Sequence, residues 1–230
     1  TSVMIGSNAG DAGTDIDGCI LIGYQAGTAI NANGADNTVA IGYQALAALT
    51  SGAGNTAIGF ESLKTEDAGS GNVAVGYQAL ETLNNDNGYN IAMGHNAMQA
   101  ATTAYYNICI GKDAGTAMAA AVPSCVIIGH EAGDAINHAD AGGTIAIGRS
   151  AGGAITSGIG NVAIGYQALD AAETSDNCTA VGHQSLSAVN AAGASRNTAV
   201  GYQSGLSITS GTANAILGWQ AGDALVGGSS

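Results

Sequence analysis

The sequence predicts an all-β fold, a parallel β-solenoid or β-roll of about 13 coils of 17–19 residues each. Three observations lead to this prediction. A glycine that follows an aliphatic residue recurs through the whole chain, the tripeptide before it alternates like a short strand, and glycine-rich turns separate the units. A unit with one strand cannot bury its apolar side chains alone, so neighbouring units must stack. We therefore expect one repeat domain over residues 1–230.

The recurring glycine, called the anchor glycine below, sets the register of the coils. Successive anchors are 17, 19, 17, 17, 18, 17, 18, 19, 17, 17, 19 and 17 residues apart, so the register is unbroken. The anchors are Gly6, Gly23, Gly42, Gly59, Gly76, Gly94, Gly111, Gly129, Gly148, Gly165, Gly182, Gly201 and Gly218.

The tripeptide before each anchor predicts a short strand. Its first residue is mostly Val, Ile or Thr, its second mostly Ala, and its third aliphatic or Met, as in Val162-Ala-Ile164. Side chains alternate between the two faces of a strand, so the large ones should share one face. We expect the strand to be buried on both faces, as in parallel sheets, with the Ala face against a closely approaching layer or subunit.

The residues after each anchor follow a different period. A small residue stands three positions on, Leu, Met or Gly four positions on, and often an aliphatic residue seven positions on, as in Leu46 and Leu49. These positions form one stripe of a helix, which predicts a short helical turn. Because Gly at the fourth position disfavours a helix, a second short strand is the alternative. In the turns that follow, Gly54 and Gly71 would supply a positive φ.

Composition and charge argue against several functions. The net charge is −13 and the four Lys and Arg residues are scattered, which disfavours nucleic acid. No apolar run approaches the roughly 18 residues of a membrane-spanning helix, so we expect no membrane insertion. The four Cys residues form no CxxC pair, and we expect buried free thiols. No phosphate-binding, calcium-binding or catalytic motif is evident, so we expect no enzyme activity, cofactor or metal.

Stacking should place equivalent residues in columns along the rod. The position four before the anchor predicts a structural asparagine ladder, made of Asn55, Asn72, Asn90, Asn107, Asn161, Asn197 and Asn214. The position after the anchor carries Tyr24, Tyr43, Phe60, Tyr77, His95, His130, Tyr166, His183, Tyr202 and Trp219, with Lys112 and Arg149 between them. This column either stacks on itself, where it covers the edge of the core or packs against a neighbouring subunit, or forms a stripe that binds sugars or another surface. A column of Gln residues runs beside it.

The units Asn55-Thr-Ala-Ile-Gly59, Asn161-Val-Ala-Ile-Gly165 and Asn197-Thr-Ala-Val-Gly201 carry a family resemblance. They resemble the repeats of YadA-like trimeric autotransporter adhesin heads, and more closely those of phage tail-fibre proteins. The resemblance covers all thirteen coils. It implies β-rolls associated as homotrimers on the exterior of a cell or virion.

We therefore expect a structural fibre or adhesin shaft that presents a surface for attachment to a host or another surface. Its partners would be copies of itself, as a homotrimer or an end-to-end polymer, and cell-surface glycans. The first alternative is a subunit of a self-assembling extracellular filament. An ice-binding solenoid is less favoured, since Thr is sporadic, and so is a sugar-chain lyase. Because Thr1 to Gly6 already reads as part of a repeat, we expect the chain to be a segment of a longer protein.

Overall fold

The chain forms a β-solenoid with one three-residue strand in each coil. A computed structural model describes residues 1–13, 16–31, 33–190 and 195–225. Across these residues the strands are β1 Val3–Ile5, β2 Ile20–Ile22, β3 Val39–Ile41, β4 Thr56–Ile58, β5 Val73–Val75, β6 Ile91–Met93, β7 Ile108–Ile110, β8 Val126–Ile128, β9 Ile145–Ile147, β10 Val162–Ile164, β11 Thr179–Val181, β12 Thr198–Val200 and β13 Ala215–Leu217. Two short 3-10 helices span Asn33–Ala35 and Ala139–Ala141.

The thirteen strands of the described residues form one parallel sheet in chain order. Each strand pairs with the next at the register that the anchor glycines set; for example, Val39 lies opposite Thr56 and Ile41 opposite Ile58. The predicted all-β solenoid is therefore confirmed. Because coils differ in length only within their turns, the strands stay aligned over the whole stack.

The structure shows which face of each strand points inward, which the alternation of side chains left open. From β2 to β13 the central residue, mostly Ala, is buried inside the solenoid, while the large first and third residues point outward and are partly exposed. The expectation that the strand is buried on both faces was therefore wrong for the single chain. Of the two neighbours expected for the Ala face, a layer or a subunit, the structure shows a layer of the same chain, whose interior covers the Ala side chains.

The second half of each coil is neither a helix nor a strand. Its residues form consecutive turns in which the second and fourth positions after every anchor have positive φ, between +48° and +68°. Neighbouring coils bond through these turns, as in the 2.9 Å hydrogen bond from the Gln44 N–H to the Tyr24 carbonyl. The two predictions for these residues, a short helical turn and a second short strand, were therefore both wrong. The predicted positive φ of Gly54 and Gly71 is confirmed.

The core lies between the strand centres and the third, fourth and seventh positions after the anchor. In most coils side-chain volume is exchanged between the strand centre and the fourth position; the coils anchored at Gly148 and Gly201 are exceptions, with Ala at the centre and Gly at the fourth position. Where the fourth position is Leu or Met, as in Leu80, the strand centre is Ala, as in Ala74. Where the fourth position is Gly27, the centre is Leu21, whose methyl carbons lie 2.9 and 3.2 Å from the place a Cβ would take on that glycine.

Candidate functional site

The first candidate surface is the outward side of the sheet, which we call the aliphatic face. It consists of the first and third residues of β1 to β13, and it contains no charged residue. Several of its large side chains are well exposed, including Ile58 at 38% and Met93 at 40% of their full accessibility. A continuous apolar strip on the outside of a protein usually marks a contact with another molecule.

The size of the aliphatic face is set by the strand spacing. Twelve steps of about 4.8 Å give a length of roughly 58 Å, and two side-chain columns give a width of about 10 Å. The resulting area, on the order of 600 Å², lies at the upper end of the roughly 300–600 Å² that the largest patch of a typical monomer covers. It approaches the ~800 Å² that each partner buries in a stable protein interface.

The second candidate surface is the column after the anchors, which forms two stacks of rings. The first stack runs from Tyr24 to His95, with ring centroids 4.9–5.3 Å apart and interplanar angles of 6–15°. The second runs from Tyr166 to Trp219, with centroids 4.9–6.4 Å apart. The step between coils matches the stacking distance of aromatic rings, so the repeat itself places the rings face to face.

Stacking determines which part of each ring another molecule can reach. The faces of the inner rings cover one another, so their outer edges and the Tyr hydroxyl groups remain accessible; Tyr24 is 46% exposed. The Arg149 guanidinium lies 5.8 Å from the Tyr166 ring centroid and covers the start of the second stack. A sugar would therefore meet ring edges along most of the column. In the described part of the chain His130 has no stacking partner.

A ladder of Gln side chains runs beside the rings, two positions after the anchors. The Gln44 amide donates to the Gln25 side-chain carbonyl at 2.7 Å. The same contact links Gln167, Gln184, Gln203 and Gln220 in order, at 2.9–3.1 Å. Each amide can donate to one neighbour and accept from the other, which suits a column of identical residues.

The asparagine ladder lies inside the solenoid. In every ladder residue except Asn214, which lies in the last coil, the side-chain oxygen accepts the backbone N–H at the equivalent position of the next coil, as from Asn72 to Asn55 at 2.9 Å. The side-chain amide donates to turn carbonyls, in Asn55 those of Gly52 and Gly69 at 3.0 and 2.7 Å. Contacts between the side chains also occur, between Asn90 and Asn72 at 3.1 Å and between Asn214 and Asn197 at 3.0 Å. This ladder therefore joins turns to strands.

The cysteines are free and buried, as the sequence predicts. Three of them replace Asn in the ladder, where the thiols of Cys19 and Cys125 contact the backbone carbonyls of Ala35 and Ala141. Burial raises the pKa of the Cys125 thiol to about 11 and that of Cys109 well above its ordinary value. These thiols therefore lack the thiolate character of reactive cysteines.

In the coils anchored at Gly111, Gly129 and Gly148, other side chains replace the aromatic residues of the ring column and the Gln residues of the ladder beside it. We call the residues that replace rings and Gln there the charged segment: Lys112, Asp113, His130, Glu131 and Arg149. The Lys112 ammonium pairs with the Asp113 carboxylate, and Nδ1 of His130 lies 3.4 Å from Oε2 of Glu131. A carboxylate oxygen of Asp113, an imidazole nitrogen of His130 and a carboxylate oxygen of Glu131 lie within 4.8 Å of one another.

The neighbourhood of the charged segment is acidic. Burial raises the pKa of Asp134, and the charges of Glu131, Asp170 and Asp113 raise it further against a backbone hydrogen bond. For Asp113 burial acts in the same direction, but hydrogen bonds from Lys112 and Asn96 outweigh it and hold the pKa below its ordinary value.

Two features escaped the sequence analysis. The outward direction of the aliphatic face could have been found from the exchange of volume between strand centre and fourth position, because only facing positions need to compensate. The cluster of His130 with Asp113 and Glu131 could have been found by comparing two neighbouring columns at once, since the ring column alone shows only the imidazole and the Gln column only the two carboxylates.

Among the described residues no pocket is found, and no helix there is long or apolar enough to cross a membrane. Comparison of the chain with protein-family models, curated proteins and solved structures found no match.

Proposed function

We propose that this chain is the shaft of a fibrous attachment protein on the exterior of a cell or virion. In this proposal three copies lie side by side, with their aliphatic faces toward one another. The observation that carries the proposal is the aliphatic face itself, which is apolar, free of charge and continuous over thirteen coils. The number three and the location follow from the resemblance to adhesin heads and tail fibres.

The construction of the coils supports a role that needs stiffness. Every coil bonds to the next through the strand and the outer turns, and the buried asparagine ladder joins six of the twelve steps as well. A stack with this many short-range bonds transmits force along its axis without a hinge. Such a rod suits a part that spaces two ends or holds an attachment surface away from its base.

The attachment surface in this proposal is the ring column with the Gln ladder beside it. Tyr hydroxyl groups and amides can exchange hydrogen bonds with sugar hydroxyl groups, while ring edges provide apolar contact. The repeat presents these groups at the same spacing over many coils, which favours a repetitive ligand such as a surface polysaccharide.

The association of copies is tested by light scattering on the purified chain, whose single-chain mass is 22.2 kDa. We expect a discrete mass three times larger that does not change with protein concentration. A mass that grows with concentration would favour the filament alternative, and a stable monomer would contradict side-by-side association.

A charged substitution on the aliphatic face tests which surface makes the contact. Ile58→Glu should reduce the mass to that of one chain and leave the circular dichroism spectrum unchanged, because the Ile58 side chain points away from its own core. Ala53→Glu, in an exposed turn of the same coil, is the matched control and should leave the mass unchanged. If Ile58→Glu assembles like the unmodified chain, the aliphatic face is not the contact.

A further inference from the structure

The charged segment interrupts two regular ladders at the same place. Elsewhere the ring column and the Gln ladder carry neutral side chains, except for Glu61, whose carboxylate accepts hydrogen bonds from Gln78 and Lys64. At two successive coils they present instead Lys112 beside Asp113, and His130 beside Glu131. Asp113 and Glu131 occupy equivalent turn positions in neighbouring coils, where two carboxylates repel each other and a cation between them would offset the repulsion.

The donor atoms of this segment converge. Asp113, His130 and Glu131 each offer one ligand atom within 4.8 Å of the other two. Ligands of one zinc ion lie roughly 3.3 Å apart, so these partly exposed side chains would need to rotate by about 1 Å at their ends. An imidazole with two carboxylates is a donor set suited to Zn²⁺, Co²⁺, Ni²⁺ or Mn²⁺.

A second observation points to a ligand at the same place. The His130 Nδ1 atom and the Asn96 side-chain oxygen are shielded from solvent, and among the described residues neither has a hydrogen-bond partner. The nearest acidic atom to His130 Nδ1 is Oε2 of Glu131, at 3.4 Å, which belongs to the same cluster. The Asn96 amide nitrogen donates to Asp113 at 3.2 Å, so its oxygen lies beside the same carboxylate. Shielded acceptor atoms that remain unpaired are uncommon in native proteins, and a bound ion is one way to satisfy them.

We propose that Asp113, His130 and Glu131 bind one divalent transition-metal ion, which clamps the coils of β7 and β8 together. The ion holds these two coils together where the ring stacking and the Gln–Gln hydrogen bonds of other coils are missing. The Lys112 ammonium, which pairs with Asp113, competes with the ion for that carboxylate.

The site is tested by calorimetric titration of the full chain with Zn²⁺ and with Co²⁺. The substitutions His130→Tyr and Glu131→Gln restore the residues that occupy these columns in other coils, so both variants should fold as well as the unmodified chain. We expect one ion per chain, and each substitution should weaken binding roughly tenfold or more, since even the loss of a group that only supports a ligand has such an effect.

Two further variants separate this site from general metal affinity. His183→Gln removes an imidazole from the same column, where it stacks between Tyr166 and Tyr202, and should leave the affinity unchanged. Lys112→Gln removes the competing ammonium and should increase the affinity. The proposal is overturned if no saturable binding occurs up to millimolar ion, if His130→Tyr binds like the unmodified chain, or if bound Co²⁺ shows thiolate charge-transfer absorption, which would place the ion on cysteine.

Discussion

At the scale of single residues, the anchor glycines are the positions that no other residue can occupy. All thirteen have φ between +127° and +142°, and at twelve of them a Cβ would lie 2.2–2.6 Å from the carbonyl oxygen of the next anchor. Steric contact and backbone conformation therefore both require glycine. The sequence showed this position clearly, because its regularity comes from a contact that recurs in every coil.

Gly76→Ala should lower the free energy of unfolding by about 3 kcal/mol, from strain at positive φ and from displacement of the Gly94 backbone, which a Cβ would approach to 2.3 Å. The measurement is urea denaturation followed by circular dichroism. Gly54→Ala is the control, since Gly54 also has positive φ but open space around it, and should lose only about 1 kcal/mol. Equal losses would show that contact between coils is not the reason for the anchor.

Glu66 is a buried carboxyl whose protonation is linked to folding. Its Oε1 accepts the Gly69 and Ala68 N–H groups at 2.6 and 3.1 Å, whereas its shielded Oε2 has no partner among the described residues. Burial raises the pKa of Glu66 against these two hydrogen bonds. The folded state therefore retains a proton that the unfolded state releases, and stability falls as pH rises from the ordinary glutamate range through the folded pKa.

Glu66→Gln should raise the free energy of unfolding at neutral pH by about 1 kcal/mol, because a neutral group replaces a buried carboxylate, and it should remove this part of the pH dependence. Denaturation over a range of pH measures both effects. Glu61→Gln should act in the opposite direction, since hydrogen bonds from Lys64 and Gln78 lower the pKa of Glu61 and its contribution is lost on acidification. A Glu66→Gln variant that is less stable than the unmodified chain at neutral pH would contradict this account.

At the scale of elements, the sequence predicted where each strand lies but not which way it faces. Alternation separates two faces without saying which is inside, and large aliphatic side chains are usually inside. Here residues from the turns, such as Leu80 and Leu83, fill the narrow interior, so only a small residue fits at Ala74. The turn conformation was missed because Leu80 and its equivalents have positive φ, which their side chains disfavour and the surrounding coils impose.

The exchange of volume inside a coil predicts a compensating pair of substitutions. Ala74→Leu should overpack the core and Leu80→Gly should leave a cavity, each at a cost of about 2 kcal/mol or more. The double variant reproduces the arrangement of Leu21 and Gly27 and should recover about 1–3 kcal/mol of the summed loss. A thermodynamic cycle from chemical denaturation measures this coupling.

Ala74→Leu combined with Leu169→Gly provides the matched control, because those two positions lie in coils far apart along the rod. Their effects should add without coupling. If the neighbouring pair is also additive, the strand centre and the fourth position do not share space in the way the structure describes.

At the scale of the whole molecule, the constant register aligns equivalent residues of the thirteen coils into continuous columns. The ring column and the asparagine ladder could be predicted because they depend only on the anchor spacing. The cluster of Asp113, His130 and Glu131 was not predicted, since it becomes visible only when two neighbouring columns are compared across coils. The same register makes the aliphatic face continuous, and we expect this face to direct association of copies sideways.

Electron microscopy of the purified chain tests the central claim most directly, because it separates sideways from end-to-end association. The proposal predicts particles of uniform length, about 60 Å from thirteen coils at 4.8 Å each, that are wider than one solenoid. Ile58→Glu should give particles of the same length and the width of a single chain. Filaments whose length increases with concentration, or unmodified particles of single-solenoid width, would contradict it.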